Sequence, residues 1–298
     1  MENTDAKMGL NSITSLFKTT WRMYKERSNV LMEILLLPAL IIVLGGVLFY
    51  LGGLFTLLAL PVFLVGYLFL IYSFLPLIFS IHHDTDVDTS YKATLPLFWK
   101  FVWVFILEAF IIMGAFFMLI IPGIWLSIAL SFSLYLFIIE DRRGLDVLRQ
   151  SRAYVKGYWW AILGRVLLVA LAITIPNAIV QGIFTAIAGK SAGTLVSVIL
   201  MVIFTPFSAI FSYNLIQNLR SLKPELAGQQ TKEGTGFLKA SGIVGIVAPI
   251  ALGVAFAALA VFIATHHITL PSQYERGNNL IDGVPPLVHG TPVGPSAY

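Results

Sequence analysis

Long apolar runs alternate with short polar segments over most of this 298-residue chain. Seven runs are long enough to cross a bilayer, whose hydrocarbon core of about 30 Å needs roughly 20 apolar residues in a helix. We predict transmembrane helices over residues 29–50, 54–80, 98–121, 123–140, 158–188, 193–218 and 238–265. The connections Leu51-Gly52-Gly53 and Ile121-Pro122-Gly123 are so short that each predicts a tight hairpin.

Composition supports the same class of protein. Hydrophobic residues make up 58% of the chain and charged residues only 11%, whereas soluble domains carry about 25% charged residues. The chain has no cysteine, which excludes disulfides, thiolate metal sites and cysteine nucleophiles. The predicted fold is therefore an all-α integral membrane protein with a six-helix body and one further helix near the C-terminus.

Two basic segments have the apolar spacing of amphipathic helices. In residues 1–28, Leu10, Ile13, Phe17, Trp21 and Tyr24 recur at helical spacing while lysines and arginines fall on other faces. This pattern predicts a helix lying in the headgroup region, and the alternative is an ordinary packed cytoplasmic helix. A second basic amphipathic segment follows the fourth apolar run, over residues 141–157.

The distribution of positive charge predicts the orientation. Seventeen of the 19 Lys and Arg residues fall in the N-terminal segment and in the segments 81–100, 141–165 and 219–239. Such a bias marks the cytoplasmic side, so we expect a cytoplasmic N-terminus, an outside C-terminus and the plasma membrane of a prokaryote. An odd number of spans, such as seven, is what this orientation requires.

The predicted domain organisation follows from these segments. Residues 1–28 are the cytoplasmic or interfacial helix, 29–221 the six-span domain, 222–237 a polar linker and 238–265 the seventh span. Residues 266–298 are rich in proline and glycine with few core-forming residues, and we expect a disordered extracytoplasmic tail there.

The stretch 121–165 resembles a known family. The residues that carry the resemblance are Pro122-Gly123-Ile124, Glu140, Leu148, Ser151, Lys156-Gly157 and Trp159-Trp160. They are similar to the membrane domain attached to some glycerophosphoryl diester phosphodiesterases, which also occurs alone in bacterial membrane proteins. The resemblance implies a six-helix bundle with interfacial helices, and it would cover about residues 10–221.

The resemblance implies no catalytic activity here. The phosphodiesterase chemistry of that family belongs to a separate soluble barrel, for which this chain has no room. The family often has an arginine shortly after Pro-Gly-Ile, where Ala129 and its neighbours stand in this sequence, so a role tied to that arginine is not carried over. The same residues also suit interface anchoring. We expect headgroup contacts from Arg142, Arg143, Arg149, Arg152, Lys156, Trp159 and Trp160.

Ionisable groups inside a bilayer are costly and are candidates for function. Three lie more than three residues from the ends of the predicted spans, namely Glu33, Glu108 and Arg165. Glu33 lies near the cytoplasmic end, where it can snorkel or pair with the region of Arg27. Glu108 and Arg165 lie at matching depths if Lys100 and Lys156 mark the interface, and we predict an ion pair between them. Such a pair would fix helix packing or serve transport.

Amides add polar atoms to the fifth and sixth spans. Asn177 and Gln181 are four residues apart and share a helix face, and Asn214 lies on the next span. They could line a polar cavity, or they could form hydrogen bonds between helices.

In the segment His82–Asp88, a calcium loop is disfavoured because Thr89 and Leu95 replace the required Gly and Glu. We predict Asp88 as the N-cap of a helix beginning near Thr89, and no metal site.

Three classes of function compete. The first is a non-catalytic membrane module, a scaffold, anchor or accessory protein that contacts anionic lipid or an unknown partner at the cytoplasmic face. The alternative is a small-solute or lipid transporter that uses the Glu108 and Arg165 pair. An intramembrane enzyme has least support, because no nucleophile elbow, P-loop or HExxH motif occurs. We expect no cofactor and no nucleic-acid partner.

Overall fold

The computed structural model describes residues 9–228 and 235–265, which are helical except for short connections. The helices are α1 Ile13–Leu51, α2 Leu54–His83, α3 Val87–Thr94, α4 Phe98–Met118, α5 Ile120–Leu130, α6 Ser133–Ile139, α7 Leu145–Val155, α8 Trp159–Leu222 and α9 Thr235–Thr265. Single 3₁₀ turns precede α4 and follow α8, at Leu95–Leu97 and Pro224–Leu226. The predicted tail 266–298 and residues 229–234 of the predicted linker lie outside the described residues.

Six segments of the described chain are long and apolar enough to cross a membrane. They are Ile13–Leu51, Leu54–His83, Val87–Met118, Ile120–Ile139, Trp159–Leu222 and Thr235–Ile263. The predicted all-α class is confirmed for the described residues, and their six long apolar helices are those expected of a multi-span membrane protein. Each predicted run overlaps one of these segments, and two of the runs share Trp159–Leu222.

Helix α1 joins two predicted elements into one. Its 39 residues extend about 58 Å at 1.5 Å per residue, nearly twice the hydrocarbon thickness. The helix continues without a break through residue 28, the predicted boundary between the basic segment and the first apolar run. Ser12 caps the start by accepting a hydrogen bond from the backbone N–H of Ser15 at 3.2 Å. The basic, amphipathic part of the chain is therefore rigidly continuous with the first apolar run.

One of the two predicted hairpin turns lies where the sequence placed it, and the other is displaced by a few residues. The chain turns at Gly52 and Gly53 between α1 and α2, as expected. The second turn falls at Leu119, whose backbone is extended, and not at Pro122-Gly123. Pro122 lies instead in the first turn of α5, where a missing backbone N–H leaves no hydrogen bond unmade. The local proline pattern thus marks the start of a helix and not the bend.

Helix α8 is two helical arms joined at Gly189. Its 64 residues would span about 96 Å as one straight rod, and Gly189 interrupts them with φ 83° and ψ 174°. Residues with a Cβ rarely adopt such a conformation, so glycine permits the break. A Cβ added at Gly193 would lie only 2.0 Å from Thr185 Oγ1. The two arms are therefore in close contact beside the turn.

Helices α4 and α9 touch backbone to backbone. A Cβ at Gly114 would lie 1.7 Å from the carbonyl oxygen of Ser241, and a Cβ at Gly245 would lie 1.9 Å from that of Phe110. Small residues allow such close approach between membrane helices. A second compact unit begins at Pro249, and its described residues continue the helix with exposed side chains over residues 250–263.

The core of the first compact unit is aromatic and aliphatic. Its largest fully buried side chains include Phe101 of α4, Phe137 of α6, Tyr154 of α7 and Phe211 of α8. The phenyl rings of Phe101 and Phe137 lie edge to face with centroids 5.7 Å apart, a favoured aromatic arrangement. Because lipid tails are as apolar as this core, close packing and polar contacts hold the helices together.

Candidate functional site at the basic end of the bundle

Several helix ends meet at one end of the first unit, which we call the basic end. It comprises the start of α1, the end of α2, α3, the segment 140–158 and the end of α8. Hydrogen bonds across large sequence separations join these pieces. The backbone N–H of Asn11 donates to Asn218 Oδ1 at 2.8 Å, and Arg220 reaches Glu140. Charged side chains that are distant in sequence are therefore neighbours here.

The carboxylate of Glu140 lies at the centre of this end. Its side chain is only 6% exposed and directly follows α6. It accepts hydrogen bonds from Arg142 Nε at 2.9 Å, Arg220 Nε at 3.1 Å and the Tyr154 hydroxyl at 2.7 Å. A buried carboxylate needs such charged and polar partners to offset its lost hydration. Glu140 thus ties α6, α7 and α8 together.

The network continues from Arg220 along one face of α8. Arg220 Nη1 donates to Gln217 Oε1 at 2.9 Å, and Gln217 Nε2 donates to the Tyr213 hydroxyl at 2.9 Å. That hydroxyl lies 3.0 Å from His82 Nδ1 on α2. The spacings of four and three residues place Tyr213, Gln217 and Arg220 on one helix face. A continuous polar chain therefore runs from α2 to the loop after α6.

Lys223 caps the end of α7. Its Nζ donates to the carbonyl oxygens of Ala153 at 2.8 Å, Tyr154 at 3.0 Å and Lys156 at 2.5 Å. A cation at a helix C-terminus satisfies carbonyls left without partners and complements the helix dipole. Burial lowers the pKa of the Lys223 ammonium; the charge of Lys156 lowers it further, and that of Glu225 opposes the shift. The end of α8 is thereby fastened to α7.

Burial shifts the pKa of Tyr154 in the same cluster. The pKa of its phenol rises from 10.0 to about 12, chiefly through burial and secondarily through its hydrogen bond to Glu140. A buried phenol beside a carboxylate resists losing its proton, because two negative charges would then face each other. Tyr154 therefore remains a hydrogen-bond donor to Glu140 over the physiological pH range.

Arg27 organises the corner between α2 and α3. It pairs with Asp84 and also donates to Ser80 Oγ at 3.2 Å and to the Thr85 carbonyl at 2.7 Å. Asp84 ends α2 in the left-handed region, with φ 56°. Arg27 therefore uses Asp84 as its partner. Glu33, for which the sequence allowed pairing with the region of Arg27, is exposed on α1.

The acidic residues of the α2–α3 corner hold cations of the protein itself. Asp84 binds Arg27, and Asp88 binds Lys92 at 2.5 Å. No group of metal-ligating side chains occurs within residues 9–228 and 235–265. Helix α3 starts at Val87 with Asp86 before it, so the prediction of Asp88 as N-cap is wrong by two residues. A hydrogen bond with Thr89 lowers the pKa of Asp86, which fits a carboxylate at a helix start.

The predicted ion pair between Glu108 and Arg165 is wrong. The carboxylate of Glu108 accepts a hydrogen bond from Ser133. Arg165 donates to the carbonyl oxygens of Ala161 and Asn11, both at 2.9 Å. The prediction matched the depths of the two residues, but depth does not fix the direction in which a side chain leaves its helix. Glu108 and Arg165 therefore form hydrogen bonds with different groups and not with each other.

The three amides predicted as candidates for a polar cavity lie in different surroundings. Asn214 Nδ2 donates to Thr20 Oγ1 of α1 at 3.1 Å, which is the alternative hydrogen bond between helices. Gln181 is exposed, and Asn177 is half-buried with no hydrogen-bond partner for its Oδ1. Asn214 lies near the basic end, whereas the other two lie towards Gly189. The three side chains therefore do not share one cavity.

Most of the predicted headgroup contacts are used inside the protein. Arg142 is 12% exposed against Glu140, and Arg149 is 16% exposed and pairs with Asp146 at 2.8 Å. The guanidinium group of Arg143 pairs with Asp141 and lies 4.0 Å from the ring centroid of Phe137. These side chains stabilise the segment after α6, and little of Arg142 or Arg149 remains exposed.

The four remaining predicted contacts divide between the interior and the surface. The guanidinium group of Arg152 lies 5.0 Å from the Trp125 ring, and Trp159 Nε1 donates to the Trp125 carbonyl at 3.0 Å. In contrast, Lys156 is exposed and Trp160 is 78% exposed. The sequence predicted that these residues sit near one level. The structure separates those that pack from those that face outward.

The motif residues behind the family resemblance close a break between helices. Ser151 Oγ donates to the Ala129 carbonyl at 2.9 Å and accepts from the Phe132 N–H at 3.3 Å. The backbone between α5 and α6 is thus satisfied by a serine of α7, as a buried break requires.

Comparison of the chain with protein-family models, with curated proteins and with solved structures gave no match.

An exposed tryptophan has an exposed lysine within four residues of it on α1, on α4 and at the start of α8. On α1, Trp21 is 45% exposed and the Lys25 ammonium lies 5.4 Å from its ring centroid. On α4, Trp99 is 78% exposed and precedes the exposed Lys100. Trp160 and Lys156 repeat the arrangement at the start of α8. We call these three pairs the Trp–Lys belt, because amphipathic rings and cations together are typical of membrane–water interfaces.

Sequence reasoning missed the partners of Glu140. Arg220 lies 80 residues away, and no local pattern connects the two. Trp99 also escaped notice, although its neighbour Lys100 was taken as an interface marker. One indication was present in the sequence, since Arg220 follows Gln217 by one helical turn and lies just beyond the predicted span 193–218, which has no charged residue.

Proposed function

We propose that this chain is a non-catalytic membrane module that anchors at the anionic cytoplasmic face of a prokaryotic plasma membrane. The observation that carries the proposal is the Trp–Lys belt, whose three pairs are exposed on α1, on α4 and at the start of α8. A Lys side chain near an anionic leaflet contributes about 1 kcal/mol of attraction. Neighbouring indole rings favour the same headgroup depth.

The proposed topology has seven spans. The break at Gly189 divides Trp159–Leu222 into two arms, each about 30 residues long, and two arms of that length can each cross a bilayer. Both arms then begin or end near the basic end, because the chain crosses once along each arm. The excess of Lys and Arg at the basic end then supports a cytoplasmic position for it.

The network around Glu140 supports a role as a rigid platform. Its carboxylate oxygens are engaged by Arg142, Arg220 and Tyr154, so they serve as acceptors that hold helices together. A transport role was motivated by a Glu108–Arg165 pair, and that motivation is lost because the two residues take other partners. The anchoring role depends on neither residue.

Binding of anionic headgroups tests the proposal. The full chain in detergent is titrated with phosphatidylglycerol or phosphatidylcholine, and native mass spectrometry counts the bound lipids. We expect a preference for phosphatidylglycerol that Lys100→Gln weakens about fivefold, the equivalent of about 1 kcal/mol. Lys190 is the matched control, because it is exposed but has no tryptophan nearby in the sequence. Equal affinity for both lipids, or equal losses in Lys100→Gln and Lys190→Gln, would contradict the proposal.

A further inference from the structure

An apolar cavity of about 320 Å³ lies inside the first unit. Its lining comes from five helices and includes Leu35, Ile71, Phe74, Phe101, Leu134 and Thr205. The threonine hydroxyl is the one polar side-chain group among the lining residues. A volume of this size is at the lower end of the range for ligand sites in proteins. The cavity therefore suits an apolar occupant.

The cavity reaches the outer surface of the bundle. Phe105, another lining residue, is 36% exposed and lies on α4 one turn beyond Phe101. An occupant can therefore enter sideways from the surrounding phase. In the proposed membrane arrangement that phase is the hydrocarbon of the bilayer.

The depth of the cavity matches one leaflet. Along α2, Phe74 lies eight residues from His82, and along α8, Thr205 lies eight residues from Tyr213. Each interval is about 12 Å at 1.5 Å per residue, and half of the hydrocarbon core is about 15 Å. This placement rests on the proposed position of the basic end at the interface. The cavity is then within reach of a lipid whose headgroup lies at the Trp–Lys belt.

Two kinds of ligand with a large apolar part could fill the cavity, an acyl chain and a hydrophobic cation. The absence of charge among the lining residues favours the acyl chain. A cation would need a carboxylate in the lining, since an unpaired charge in such surroundings is costly. Glu108 is the nearest candidate along α4, but it is not a lining residue and its carboxylate is bound by Ser133. An acyl chain needs no polar partner, and it is already present in the membrane at this depth.

We propose that the cavity binds one acyl chain of a membrane phospholipid from the leaflet at the basic end. The bound lipid would fill the space between α1, α2, α4, α6 and α8 and act as a structural component of the bundle. Its headgroup would lie beside Trp99 and Lys100, the pair that immediately precedes Phe101 on α4. Specificity would come from the chain and not from the charge of the headgroup.

Photo-crosslinking tests the site. The full chain in detergent is titrated with phosphatidylcholine that carries a diazirine on its acyl chain, irradiated, digested and mapped by mass spectrometry. We expect saturable labelling of peptides containing Phe101 or Thr205, competed by unlabelled phosphatidylcholine. Phosphatidylcholine has no net charge, so failure here is distinct from failure of anionic headgroup binding. Labelling that does not saturate, or that palmitate but not phospholipid competes, would overturn the proposal.

Cavity-filling variants add a second criterion. Thr205→Phe introduces a ring into the cavity, and we expect about a tenfold loss of labelling because several methylene groups of the chain are displaced. Leu134→Trp fills the same space from α6 and serves if Thr205→Phe does not fold. Leu64→Phe is the control, since Leu64 is 61% exposed on α2. Equal labelling in Leu134→Trp and Leu64→Phe would also overturn the proposal.

Discussion

Arg220 donates through Nε to Oε1 of Glu140 over 3.1 Å, although the two residues are 80 positions apart in the chain. This bond joins the end of α8 to the end of α6, and Arg142 and Tyr154 complete the shell around the same carboxylate. The helices themselves can form wherever the sequence is apolar. Their arrangement at the basic end depends on this buried network.

Removing the charge of Glu140 should destabilise the protein strongly. In Glu140→Gln the two guanidinium groups lose their shared anion, and breaking a buried ion pair in this way costs about 3–5 kcal/mol. Thermal unfolding in detergent measures the change. Asp88→Asn is the matched control, since it removes an exposed partner of Lys92 and should leave the melting temperature unchanged. Equal melting temperatures for the two variants would remove the central role of Glu140.

Tyr154→Phe should change the alkaline limit of stability. The folded protein raises the pKa of this phenol from 10.0 to about 12, so its contribution is complete below about pH 10. It is lost as the pH rises from about 10 to 12, because the unfolded chain ionises first. Stability is measured by unfolding between about pH 8 and 12. The variant should show a shallower decline over this interval; parallel curves would be inconsistent with the raised pKa.

Gly245→Ala should separate α9 from α4. The added methyl group would lie 1.9 Å from the carbonyl oxygen of Phe110, so the two backbones must move apart. We expect faster proteolysis on the N-terminal side of α9 and a lower melting temperature. Gly236→Ala, at the start of the same helix, meets nothing within 4 Å and controls for the helix-stabilising effect of alanine. If both variants resist protease like the original protein, the close crossing does not hold α9.

The apolar runs were enough to predict which residues form long helices. Hydrocarbon thickness fixes the length of a spanning helix, so the runs at 54–80 and 98–121 closely match α2 and α4. The apolar runs did not predict which side chains contact one another. Glu108 and Arg165 were matched by depth, yet a helix position also has a direction around the axis, and that direction depends on all the neighbouring helices.

The candidate site was predictable only in its local parts. The positive charge of residues 142–156 is plain in the sequence, and so is the Trp159-Trp160 pair. Whether each cation faces lipid or packs inward depends on partners contributed by distant segments. Arg142 packs on Glu140 for this reason, while Lys156, one of the same basic residues, is exposed.

The topology of α8 tests the central claim most directly, because a basic end in the cytoplasm requires both arms to cross. The chain has no cysteine, so single-cysteine variants at Lys190 and Ser221 report without background. We predict that a membrane-impermeant maleimide labels Lys190→Cys in intact cells, and that Ser221→Cys reacts only after the membrane is permeabilised. Labelling of Ser221→Cys in intact cells, or labelling of both positions from the same side, would contradict the account.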